Sequence, residues 1–137
     1  MMRYVPRALL AMAAAIFTFG SVMHARAYES SLTRVEATGL PRFLVTELKV
    51  LWLADSSTLL AAAILFGYLA ANPAAASRLL IALIALVPLG TTALLYFLLG
   101  PFYAGHMLLA ACVMIFAAAA LLAARPVGPA DGLRAQL

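Results

Sequence analysis

The sequence predicts an all-α fold: a polytopic membrane protein built as a four-helix transmembrane bundle, up-down-up-down. Three observations predict it. Of the 137 residues, 66% are hydrophobic and 10% are charged, against about 25% charged in a soluble domain. Mean hydropathy is +1.06, and a water-soluble domain of this size still exposes roughly a third of its chain surface, more than such a composition can keep polar. The apolar residues also fall into four runs of membrane length, divided by Asn72-Pro73, Gly100-Pro101 and a polar stretch after Ala27. About 20 apolar residues cross a hydrocarbon core about 30 Å thick.

The first helix is expected over about 8–27, after Arg3 and Arg7. The same stretch fits a second reading, a cleaved signal peptide, since Ala25-Arg26-Ala27 has the small-x-small cleavage pattern. A signal core runs to roughly 7–15 residues; this run is longer, so an uncleaved helix is the expectation. Residues 28–42 carry Glu29, Arg34, Glu36 and Arg42, with Gly39 and Pro41 as breakers. Thr33-Arg34-Val35-Glu36 has the form of a capping box. Gly39 follows too soon for more than a turn or so, so a solvated loop is expected.

The second helix is expected over about 43–71, ending where Asn72-Pro73 blocks continuation. The other runs are arranged around its stretch VLWLADSSTLLAAAILFGYLAA, Val50 to Ala71. Counting back about 20 residues from Ala71 sets Trp52 at the opposite interface, where tryptophan is favoured. Residues 74–78 form a short turn, which predicts that the second and third helices are antiparallel neighbours. The third helix, about 79–99, holds Pro88, which leaves the Ile84 carbonyl without a donor and predicts a kink. The fourth is expected over about 102–124. Residues 1–124 thus make one transmembrane domain, and 125–137 a flexible C-terminal tail.

Arg3, Arg7, Arg78, Arg125 and Arg134 fall on the side of both termini, and Arg26, Arg34, Arg42 and Lys49 on the other. Basic residues favour the cytoplasmic side, so both termini are assigned there. Arginine outnumbers lysine eight to one; with the abundance of alanine, this composition suggests a GC-rich bacterial genome and hence the inner membrane. The nine basic residues form no run, which speaks against nucleic acid and for membrane-flanking charge. The single Cys112 excludes an internal disulfide framework.

The polar residues within the spans are the candidate site. His24, Asp55, Tyr96 and His106 all fall within a turn or two of the outer boundary, at about 1.5 Å per residue. Asp55 matters most, because an ionisable group inside a membrane is costly. It tops a stripe at i, i+4 spacing: Leu59, Ala63, Gly67 and Ala71. Ala63, Gly67 and Ala71 are small enough for close helix packing in lipid, so Asp55 is expected to face protein, with His24 or Arg26 as its partner. Pro88, Thr92 and Tyr96 share a face of the third helix, and His106, Ala110, Val113 and Ala117 one of the fourth. Gly20 precedes His24 by one turn.

Two histidines also raise a metal or a haem held by His24 and His106, with Asp55 or Glu47 as a further metal ligand. The spacing fits no metal motif. There is no Gly-rich phosphate loop, Ser-His-Asp order or HExxH, so nothing marks the chain as an enzyme. Two classes of function remain. One is an accessory or interaction subunit of an inner-membrane assembly, contacting the lipid bilayer and a partner membrane protein or a second copy. The other is a small-molecule or proton-handling protein with a shallow polar site near the outer face.

Overall fold

A computed structural model describes residues 4–123. Among them are five α-helices and no strand: α1 (Val5–Arg26), α2 (Tyr28–Glu36), α3 (Arg42–Ala71), α4 (Arg78–Leu99) and α5 (Tyr103–Ala123). Helices α1, α3, α4 and α5 are long and apolar enough to cross a membrane. By length and composition they suggest a multi-pass membrane protein. The segment expected as a tail lies outside the described residues.

Helix α2 takes up residues 28–36 of the loop expected over residues 28–42, and residues 37–41 stay non-helical. The capping-box pattern at Thr33 starts it too late. Ala27, between α1 and α2, keeps a right-handed backbone, and its N–H reaches back to Met23 O, so the chain re-enters helix at once. Tyr28, Leu32 and Val35 then recur at i, i+4 and i+7 and line a small crevice with Leu48 and Trp52 of α3. A Lys49–Glu36 ion pair at 3.0 Å closes its far end. Gly39, at φ 71°, supplies the left-handed residue that turns the chain towards α3.

The helices pack in the spatial order α3, α1, α5, α4. Helix α1 packs against α3 and α5, and α4 against α5 alone. The expected neighbours α3 and α4 are not neighbours: their Cα atoms never come within 8 Å. The turn between them fixes only one end of each. Its Ala75 and Ala76 pack under the core, and the Ser77 side chain caps α4 by accepting from Leu80 N at 3.2 Å.

Small residues bring α1 and α3 together. A Cβ on Gly67 would meet Ala14 Cβ at 3.8 Å, and one on Gly20 would meet Leu59 at 3.8 Å. Such close approach drives helix association where both states are apolar. Ala63 is buried on this seam, whereas Ala71 is exposed and Leu69 and Ala70 take the last buried positions. Phe17 and Phe66 fill the middle, with ring centroids 5.8 Å apart. At the end opposite Asp55, Arg7 Nε donates to Ala70 O at 2.9 Å, satisfying one of the last carbonyls of α3. Helix α4 runs unbroken through a buried Pro88. Thr92, a turn further on, donates to Pro88 O at 2.7 Å.

Candidate functional site

The four candidate residues form two pairs. His24 of α1 lies beside Asp55 of α3, with Nε2 3.4 Å from Oδ2. His24 Nδ1 is 2.9 Å from Ser56 Oγ, and its ring stacks on Trp52 at 4.2 Å. The Ser56 hydroxyl donates to Trp52 O at 3.0 Å, which leaves its oxygen to accept from His24 Nδ1–H, while Nε2 faces the Asp55 carboxylate.

Three residues that sequence reasoning left out of the site complete this cluster. The Trp52 indole donates to His24 O at 2.8 Å, and Ser21 donates to Ser56 O at 2.9 Å. Ser56 itself is buried. The pattern was present: Ser21 lies three before His24, and Trp52 and Ser56 are four apart, which places each pair on one helix face. What the pattern lacked was the register between α1 and α3, which Gly67 on Ala14 and Gly20 on Leu59 now set.

Tyr96 of α4 and His106 of α5 form the second pair, the hydroxyl hydrogen-bonded to Nδ1. The Tyr96 ring lies on Gly105, 3.6 Å from where a Cβ would stand. The face expected for α5 is shifted. Val113 is exposed, and the buried positions are Gly105, Ala111, Cys112, Ile115, Ala118 and Ala119. His106 therefore reaches Tyr96 from the edge of the bundle. Among the described residues no hydrogen bond or ion pair joins the two pairs. Nor do three His, Cys, Asp or Glu side chains gather as a metal site there. His24 and His106, raised by the sequence as joint ligands, are engaged with different neighbours.

Of the four candidates Asp55 alone lines a groove, of about 180 Å³, between α3 and α4; its side chain is 42% exposed. Thr58 and Leu65 of α3 and Ile84, Pro88 and Thr91 of α4 form the walls; Phe17 of α1 and Leu108 of α5 form the floor. The groove exists because α1 and α5 hold α3 and α4 apart.

Comparison of the chain with protein-family models, with curated proteins and with solved structures returned no match.

Proposed function

We propose that this is a bacterial inner-membrane protein with four spans running up, down, up and down, and with both termini cytoplasmic. Its role is that of an accessory or interaction subunit within a membrane assembly, contacting a partner membrane protein or a second copy. The observation that carries this reading is the length of α3. Its 30 residues measure about 45 Å at 1.5 Å per residue, against a core about 30 Å thick. The stretch ahead of Trp52 contains Arg42, Glu47 and Lys49, which favour water. It also carries Phe43, 75% exposed, and the exposed Leu44, Val50 and Leu51. Braced by α2, this is an apolar surface on a charged projection, the kind of patch that marks a protein contact. A photo-crosslinking residue at position 43 is expected to give a discrete heavier adduct in native membranes. The same residue at Leu94, 60% exposed on α4, is expected to give none. Equal labelling at both positions would remove the reading.

The contact of His24 with Asp55 favours a second reading, a shallow polar site open to the outer face that handles a small molecule or protons. An intramembrane carboxylate beside an imidazole can bind a cation or pass a proton. In a His106→Gln background, diethyl pyrocarbonate added from the outer side is expected to modify His24 in the folded protein. Modification only after unfolding would leave the cluster as an interhelical clasp.

A further inference from the structure

We propose that the groove between α3 and α4 binds a lipophilic ammonium ion: a small molecule with a protonated amine on one unbranched apolar tail. The ammonium sits on Asp55 and the tail lies between the two helices. This rests on the shallow-site reading above and names its ligand.

The polar groups of the groove select the charge. Asp55 is an acceptor, and its one polar neighbour among the described residues is His24, at 3.4 Å. The two hydroxyls on the walls have already given their protons to backbone: Thr58 donates to Ala54 O at 2.8 Å, and Thr91 to Val87 O at 3.2 Å. Both can now only accept. A groove whose polar groups all accept is matched by a donor, and a carboxylate in apolar surroundings is matched by a cation. A primary ammonium brings both, with three donors at one centre.

The dimensions select the body. The groove runs from Asp55 to Leu65, which is roughly 15 Å along a helix. Its volume is about 180 Å³. A helix about 10–12 Å across does not enter it; a single alkyl chain does. A phospholipid is also a poor match. Its amine is the outermost group, so seating it on a carboxylate one turn inside Trp52 would draw the phosphate below the interface, beside that carboxylate.

Trp52 is the sole tryptophan and stacks on the histidine that touches Asp55, so it reports on the site directly. The full chain in phosphatidylcholine nanodiscs is titrated with dodecylammonium, dodecanol and dodecyl sulfate. Dodecylammonium is expected to give a saturable change in Trp52 emission at a concentration at least tenfold below that of dodecanol, and dodecyl sulfate no saturable change. Asp55→Asn is expected to weaken the ammonium response at least tenfold. Val87→Phe places a ring on an exposed wall position, where folding tolerates it, and is expected to weaken the response while Asp55 and His24 stay in place. The proposal is overturned if dodecanol matches dodecylammonium, or if Asp55→Asn titrates like the parent chain. It is also overturned if phosphatidylethanolamine in the nanodisc abolishes the response, because a bilayer lipid then fills the groove. If His24 reacts with diethyl pyrocarbonate from outside and no ammonium binds, the site stands and this ligand class falls.

Discussion

Replacing Phe17 with alanine is expected to destabilise the protein by about 2–3 kcal/mol, read as a shift in unfolding by sodium dodecyl sulfate in mixed micelles. Phe17 is 1% exposed, stacks on Phe66 and forms part of the groove floor. In a water-soluble core Phe→Ala costs about 3–5 kcal/mol. Here the separated helices remain in lipid, so the gain from leaving water drops out. The lost dispersion contacts and the cavity remain. Phe66→Ala is expected to have an effect of similar size, and the double variant less than the sum, because both remove the same contact. Strict additivity would show that the stacked rings do not act together.

Gly67→Leu is expected to separate α1 from α3, whereas Gly67→Ala is tolerated. An alanine Cβ would meet Ala14 Cβ at 3.8 Å, an ordinary contact, and alanine is favoured over glycine inside a helix by roughly 0.5–1 kcal/mol. A leucine has no room on this seam without moving a helix, and overpacking costs typically about 1–3 kcal/mol. The separation is expected to reach the polar cluster, because Trp52, Ser56 and Asp55 meet His24 across the same seam. Trp52 emission should shift together with the loss of stability. Equal stability of the Leu and Ala variants would mean that the two helices do not pack through Gly67.

The sequence made the four long helices legible to within about three residues at each compared end, because proline, glycine and charge interrupt apolar runs sharply. It made part of the small-residue stripe legible as well, since i, i+4 spacing survives without any knowledge of neighbours: Ala63 is buried and Gly67 lies on Ala14, but Ala71 is exposed. Three of the four contacts of an up-down-up-down ring are present, α1 on α3, α4 on α5 and α1 on α5; the gap in place of the fourth, between α3 and α4, was not legible. A turn as short as that from Asn72 to Ser77 constrains two helix ends, but not whether the helix bodies touch. That choice was made by α1, whose Ala13, Ala14 and Phe17 are all buried and which takes the place beside α3. The same gap explains the site. With α1 beside α3, His24 meets Asp55; with α4 on α5, Tyr96 takes His106. Helix α2 was not legible because the one capping pattern in its stretch points to Thr33, whereas the helix starts at Tyr28 directly from the end of α1.

The order α3, α1, α5, α4 also has a consequence for biosynthesis. Helix α1 leaves the ribosome before α3, α4 and α5, yet its contact with α5 waits until nearly the whole described chain has been made. Helices α1 and α3 can join early, as one antiparallel unit held by Gly67 on Ala14, by Arg7 on Ala70 and by the His24 cluster. Helices α4 and α5 can join as a second, through Thr92 beside Cys112 and Tyr96 with His106. Assembly then reduces to docking one preformed pair on the other through α1 and α5, an event late in synthesis. Until that docking, the face of α1 destined for α5 is open to lipid or to any other helix inserted nearby.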